Sequence, residues 1–230
     1  MLLLLSVLAC EEKHSDTSAI IEPETISATL HLLSAVNGSN QEGVMVQSDF
    51  DEINSPTGDD GKAAVFVEQS SFYSIRASKD DSMEHIYQGQ AGTEDFEIVG
   101  FFVDRSTTET VYAYLGKEVE AGKGIVVAAL DYPDLSPVYG ASANLDSSND
   151  SFIFGSQSIP KEGNQLEEGG SSFVFFPNLD PGTVKLSIQA PAEVSCHSFP
   201  AGEPDVEYSV DVYADSVSIV VFQCDDSLSQ

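Results

Sequence analysis

Hydrophobic and polar residues alternate along most of the chain after residue 25. In the first such stretch Ala28, Leu30 and Leu32 fall on one face and polar residues on the other. The same alternation recurs at 44–46, 63–67 and 73–77, and clearly at 207–214 and 216–224. Further strands are expected at 84–88, 97–103, 110–115, 140–143, 151–154, 172–176 and 183–190. A period of two predicts half-buried β-strands, and no long stretch has helical spacing. The pattern therefore predicts an all-β protein.

Two further features refine this prediction. The run Ile125–Leu130 is continuously apolar, which is typical of a strand buried on both faces. Turn-forming residues at 37–40 and 55–61 separate the early strands, because glycine and asparagine accept the positive φ of tight reversals. The region 146–170, rich in Ser, Asn, Gly and Glu, is expected to be a long loop or a hairpin.

A segment of glycines and charged residues at 116–124 divides the strands into two series. We therefore expect two tandem antiparallel β-sandwich domains of prealbumin-like or immunoglobulin-like type, the first at 26–116 and the second at 117–230. Each half is long enough to bury a core of its own. One larger sandwich built from both halves stays open as the alternative.

The two halves share a loose sequence pattern. The first half carries Glu42-Gly-Val-Met-Val46 followed by Thr57-Gly-Asp-Asp-Gly61, and the second carries Ser136-Pro-Val-Tyr-Gly-Ala-Ser-Ala143 followed by Phe176-Pro-Asn-Leu-Asp-Pro-Gly-Thr-Val184. With these motifs the chain resembles the carboxypeptidase regulatory-like family. The resemblance implies transthyretin-type seven-stranded sandwiches, which recur in tandem on bacterial surface proteins.

The first nine residues form a short apolar segment that ends in a small residue. Its length matches the hydrophobic region of a signal peptide and is far below the roughly 20 residues that cross a bilayer. The sequence Val7-Leu8-Ala9-Cys10 resembles the lipobox of bacterial lipoproteins, which implies cleavage before Cys10 and acylation of its thiol. Residues 10–25 would then be a tether. An ordinary signal peptide with an incidental cysteine is the alternative.

If Cys10 carries lipid, the remaining cysteines are Cys196 and Cys224. An even number of cysteines in an oxidising compartment predicts that they form a disulfide. The competing interpretation is a metal-binding or nucleophilic thiol, for which His197 is the only nearby imidazole.

The chain contains 38 acidic and 9 basic residues, for a formal net charge of −29. Such a charge repels phosphate groups, so we expect neither nucleic-acid binding nor electrostatic docking to anionic lipids. Solubility in salty surroundings is the simpler explanation, and an acidic surface that binds cations or a basic partner is the other.

No motif for catalysis is present in the sequence: there is no GxSxG elbow, no HExxH and no phosphate-binding glycine loop. His31, His85 and His197 have no partner at the spacing of metal ligands, and we expect His31 to be an exposed neighbour on a strand. The chain is therefore not expected to be an enzyme, and no catalytic residue is assigned.

Two binding sites are candidates. A turn concentrates oxygen ligands suited to calcium, which takes six to eight of them; the candidate ligands are Asp49, Asp51, Asn54, Asp59 and Asp60. Tyr112 and Tyr114 would share the exposed face of a strand at 110–115, where they could stack on a sugar or on another protein, or pack beneath the neighbouring domain.

These features together predict a lipid-anchored exported protein of the bacterial cell envelope, with the outer membrane or cell surface favoured over the inner membrane. It would act as a non-catalytic structural or binding module whose partners are the lipid bilayer, through acyl chains on Cys10, and an envelope protein or glycan. A carbohydrate- or calcium-binding adhesin-type module is the alternative. No cofactor is expected apart from calcium.

Overall fold

The computed structural model describes residues 23–51, 53–148, 150–204 and 207–226. They form sixteen strands and one helix, in the order β1 Thr25–Ser34, β2 Met45–Ser48, β3 Ser55–Pro56, β4 Lys62–Glu68, β5 Phe72–Ser78, β6 Glu84–Gln90, β7 Phe96–Phe102, α1 Arg105–Tyr114, β8 Gly124–Asp131, β9 Ser142–Leu145, β10 Phe152–Phe154, β11 Pro160–Glu162, β12 Phe173–Leu179, β13 Gly182–Gln189, β14 Val194–Ser198, β15 Tyr208–Val212 and β16 Ser216–Asp226. The predicted all-β class is confirmed.

The strands form three sheets. A central sheet of ten strands has the order β11-β10-β12-β8-β16-β6-β5-β2-β3, with β14 paired to β16. A front sheet has the order β4-β1-β7, and a rear sheet the order β15-β13-β9. The front sheet belongs to the first half of the chain and the rear sheet to the second, whereas the central sheet contains strands of both.

Two hydrophobic cores lie on opposite faces of the central sheet. Ile125 and Val127 of β8 point into the first core, beneath the front sheet, while Val126 and Ala128 point into the second core, beneath the rear sheet. Successive residues of a strand face opposite sides of its sheet, so one strand serves both cores. All residues from Gly124 to Leu130 are buried, which confirms the prediction of a strand covered on both faces.

The last strand, β16, joins the two halves. Its residues Ser216–Val220 pair in parallel with β6, and Val217–Gln223 pair in parallel with β8. Val217 and Ile219 enter the first core, and Val220 and Phe222 the second. Two cores therefore form on either side of the predicted boundary at 116/117, but β8 and β16 contribute to both. The boundary itself stays a prediction.

Three strand pairs are parallel rather than antiparallel: β1 with β7, β6 with β16, and β8 with β16. Each of these pairs joins strands that are distant in sequence, which parallel pairing requires because a tight turn cannot connect parallel neighbours. Alternation of side chains predicts where a strand lies and which face is buried, but it contains no information on the direction of the neighbouring strand.

The segment 110–115 is part of helix α1, so the strand predicted there is wrong. Asp104 precedes the helix with extended backbone, and its Oδ1 accepts the backbone N–H of Thr107 at 2.7 Å, which satisfies one of the free donors of the first turn. Thr108 and Tyr112, four residues apart, face inward. The β-branched residues of this stretch suggested a strand, but the cap and the tertiary packing favour the helix.

Buried polar contacts also join the halves. The Gln88 side chain on β6 is almost fully buried, and its Nε2 donates to the Asp211 carbonyl at 2.7 Å while its Oε1 accepts the Asp211 N–H at 3.0 Å. The amide thereby pairs with β15 as a neighbouring strand would. Ser218 Oγ on β16 donates to the same carbonyl at 2.6 Å. The contact fixes the edge of the rear sheet over the junction of β6 and β16.

Candidate functional site

The two C-terminal cysteines form a disulfide, as predicted. Cys196 on β14 lies directly opposite Cys224 on β16, with their Cα atoms 4.1 Å apart. Both residues are buried in the second core, where neither could reach a metal ion or a substrate as a free thiol. The bond attaches β14, which pairs only with the end of β16, to the strand on which both cores depend. Cys10 lies outside the described residues.

The five candidate calcium ligands do not come together in one site. Asp49, Asp51 and Asn54 lie in the loop that closes the β2–β3 hairpin, whereas Asp59 and Asp60 lie beyond its open end, in the turn before β4. In the part of the chain that the structure describes, no group of three His, Cys, Asp or Glu residues could hold a metal ion.

Three of these carboxylates instead accept hydrogen bonds from the backbone. Asp49 Oδ1 accepts the N–H of Ser74 at 3.3 Å, Asp51 Oδ1 accepts that of Ile53 at 3.0 Å, and Asp60 Oδ1 accepts that of Lys62 at 3.0 Å. Aspartate is common in turns for this reason. The density of acids in this stretch is thus explained locally, and calcium binding stays an untested prediction.

Tyr112 and Tyr114 do not form a paired exposed surface. In a helix, residues two positions apart point in different directions, so Tyr112 is 1% exposed and Tyr114 is 64% exposed. Tyr112 packs edge-to-face on Phe152, with ring centroids 6.3 Å apart. Burial raises the pKa of its hydroxyl, against a contact with the Asn178 backbone that lowers it. The alternative that tyrosine packs against the neighbouring half therefore holds for Tyr112.

His85 is a structural residue. It is buried, its Nδ1 lies 3.0 Å from the Met83 carbonyl, and its Nε2 accepts the Val103 N–H at 3.3 Å. Burial lowers the pKa of His85 to about 4, against the hydrogen bond to the Met83 carbonyl, which raises it. The neutral ring therefore joins the start of β6 to the end of β7. The sequence around His85 did not indicate that the residue would be buried or that its ring would contact these backbone groups.

His31, predicted to be an exposed neighbour on a strand, lies half-buried on β1 of the front sheet. Its Nδ1 lies 3.5 Å from Glu97 Oε1, and its Nε2 lies 3.2 Å from Asn40 Oδ1. Lys62 binds the same carboxylate at 2.7 Å. These side chains lie on the outer face of β4, β1 and β7.

Asp131, at the end of β8, is the carboxyl with the most perturbed environment that the described residues contain. Burial raises the pKa of Asp131 to about 7, against a hydrogen bond from Ser172 that lowers it, and the nearby charge of Asp134 raises it further. The sequence did not distinguish Asp131 from the other acids, because its environment depends on tertiary burial.

A polar groove of about 680 Å³ lies where the 117–120 linker passes the end of β12. Asn178 holds this linker: its Nδ2 donates to the Glu118 carbonyl at 2.9 Å and its Oδ1 accepts the Glu120 N–H at 3.2 Å. One wall carries the Lys117–Asp150 ion pair, at 2.5 Å. The groove forms where segments that are distant in sequence, 117–120 and 177–184, come together. No local sequence pattern therefore predicted it.

No helix among the described ranges combines the length and apolar character needed to cross a bilayer. No protein-family model and no curated protein matches the chain, so its resemblance to the carboxypeptidase regulatory-like family stays a prediction.

Several solved structures show a limited likeness to this one. The minor pilin GBS52 of Streptococcus agalactiae is 15% identical, with 86% of this chain and 94% of that chain covered and a TM-score of 0.30. The shaft pilin SpaA from Lactobacillus rhamnosus GG is 9% identical, with 88% and 98% covered and a TM-score of 0.25. The Bacillus anthracis TIE protein is 12% identical at a TM-score of 0.29, and this chain, 86% covered, spans only 33% of it.

Proposed function

We propose that the chain is an exported lipoprotein of the bacterial cell envelope, acylated at Cys10, whose folded part serves as a non-catalytic structural or binding module. The observation that carries the proposal is the Cys196–Cys224 disulfide. Disulfides of this kind form outside the cytosol. The chain has three cysteines, so this pairing leaves Cys10, the cysteine of the lipobox-like motif, as the one available for acylation.

The architecture supports a passive role. The one continuous central sheet runs through both halves, and the Gln88–Asp211 contact attaches the rear sheet to it. His85 is engaged at both ring nitrogens by backbone groups, and His31 lies in the surface network of Glu97 and Asn40. These histidines therefore support the fold. The sequence motifs suggest carboxypeptidase regulatory-like domains. Such domains would serve here to present a rigid surface.

Intact mass spectrometry of protein extracted from membranes tests the proposal. The expected mass is that of a chain beginning at Cys10, with a diacylglyceryl group added and the two thiol hydrogens of Cys196 and Cys224 lost. A Cys10→Ser variant is the matched control and should leave the membrane fraction while keeping its disulfide. A soluble cytoplasmic product with Met1 present and three reduced thiols would contradict the proposal.

A further inference from the structure

Exposed large hydrophobic side chains collect at one end of the molecule. Seven of them, which we call the apolar end, are between 41% and 67% exposed: Phe50, Ile53, Phe66, Phe72, Leu135, Tyr139 and Ile159. Single exposed hydrophobic residues are ordinary on protein surfaces, but a concentration on one side marks a contact surface.

Strand directions place these residues at the same end of the central sheet, from the β10–β11 turn at one edge to the β2–β3 loop at the other. β6 runs parallel to β16 and β8, so the loop after β8, which carries Leu135 and Tyr139, lies at the end where β6 finishes. β5 begins opposite the last residue of β6, which brings Phe72 to this end. β2 is antiparallel to β5, so the loop with Phe50 and Ile53 is there also.

Two other residues join the same end. β10 is antiparallel to β12, and β12 to β8, which places the turn with Ile159 beside the loop after β8. Phe66, near the end of β4, lies on the adjoining part of the front sheet, where its carbonyl accepts a hydrogen bond from Ser48 Oγ at 2.6 Å. By contrast, Val36, which is 71% exposed, follows the far end of β1 at the opposite side of the molecule.

The chain also enters the fold at the apolar end. β1 begins at Thr25, and the carbonyl of Glu24 accepts the N–H of Gln69 in the β4–β5 turn, at 2.9 Å. The preceding sequence includes the apolar run Leu2–Leu5 and Cys10. Fourteen residues lie between Cys10 and Thr25, and the fifteen steps along the chain can span at most about 50 Å, so a lipid on Cys10 would hold this end within about that distance of the bilayer.

We propose that the apolar end is a membrane-facing surface, whose exposed aromatic and aliphatic side chains enter the interfacial layer of a zwitterionic bilayer and orient the module on it. This inference rests on the proposed acylation of Cys10. Asp49 and Asp51 belong to the same loop as Phe50 and Ile53, and Asp134 precedes Leu135, so the surface is suited to uncharged or zwitterionic headgroups and not to anionic ones. The anchor supplies the attachment, and the apolar side chains determine which end approaches the lipid.

The absence of tryptophan from the sequence allows a direct test. Ile53→Trp and Leu135→Trp each introduce a single fluorophore at the apolar end, and Val36→Trp introduces one at the opposite end as the matched control. The acylated full-length variants are reconstituted in vesicles of phosphatidylcholine with or without bromine on the acyl chains. We expect bromolipid to quench the two apolar-end probes roughly twofold or more beyond the Val36→Trp probe.

Equal quenching of all three probes would overturn the inference. A blue-shifted emission without lipid, together with a concentration-dependent mass, would also overturn it and would assign the surface to a second copy of the chain. Mass spectrometry of the same samples separates the two proposals: lipid present on Cys10 without differential quenching refutes only the orientation, while absence of lipid refutes the proposed function. Phe50→Trp exchanges one aromatic residue for another and replaces Ile53→Trp if that variant does not fold.

Discussion

The opposite titrations of Asp131 and His85 predict a specific dependence of stability on pH. The pKa of Asp131 is raised from its usual value of 3.8 to about 7, so the folded protein binds more protons than the unfolded chain between these values. The contribution of protonated Asp131 to the free energy of unfolding is fully present below pH 3.8. It is lost as the pH rises to about 7. The full shift corresponds to about 4 kcal/mol, which is an upper value because the side chain is partly exposed.

His85 acts in the reverse direction. Its pKa is lowered from 6.5 to about 4, so the unfolded chain binds more protons in this range and stability is lost as the pH falls from 6.5 to 4. The full shift corresponds to about 3 kcal/mol. Between pH 4 and 6.5 the two contributions largely cancel, and a substitution that removes one of them exposes the other.

The Asp131→Asn variant is the sharpest test, because asparagine has the same shape and no charge. We expect its free energy of unfolding to match that of the wild type near pH 4 and to exceed it progressively up to pH 7.5, by as much as about 4 kcal/mol. Urea denaturation at a series of pH values measures the difference. Asp80→Asn, which removes one exposed carboxylate, is the charge-matched control. A difference between Asp131→Asn and wild type that stays constant from pH 4 to 7.5 would refute the reasoning.

Three further predictions concern stability. Replacing Cys196 and Cys224 by serine should lower the free energy of unfolding by about 3.5 kcal/mol, since the disulfide closes a loop with a sequence separation of 28. In thermal melts, a reductant should lower the melting temperature of the wild type and leave that of the variant unchanged. Gln88→Ala should cost about 1–3 kcal/mol in denaturant unfolding because it leaves the Asp211 N–H without its acceptor, although Ser218 Oγ still donates to the Asp211 carbonyl. Gln90→Ala, at a partly exposed site, should cost less. Tyr112→Phe should change the free energy of unfolding by less than about 1.5 kcal/mol, because it removes only the hydroxyl beside the Asn178 backbone, while Tyr112→Ala should cost about 3–5 kcal/mol; equal losses in the two variants would contradict this.

Local patterns in the sequence predicted both a strand with one buried face and a strand buried on both faces. The alternation at Ala28, Leu30 and Leu32 reappears as buried residues of β1, and the apolar run at 125–130 as the doubly covered strand β8. Helix α1 was missed because its threonines and Val111 favour strands by propensity. The sequence nevertheless carried a helix signal in Asp104, which stands three residues before Thr107 as an N-cap.

The candidate sites were harder to predict because they depend on contacts between distant residues. Cysteine count alone sufficed for the disulfide, since only two thiols remain after Cys10. Proximity in sequence did not bring the acids of 49–60 together, because the short β2–β3 hairpin separates Asp51 from Asp59. The environments of His85 and Asp131 arise from burial by strands from elsewhere in the chain, which no local pattern encodes.

The position of β16 has a consequence for the order of folding. Val217 and Ile219 complete a core built mainly from residues 26–112, and Val220 and Phe222 complete the other. Neither core can close until the last strand has inserted between β6 and β8, and contacts of such long sequence separation form slowly. Because both cores include residues beyond 216, neither core can be completed before nearly the whole chain has been synthesised.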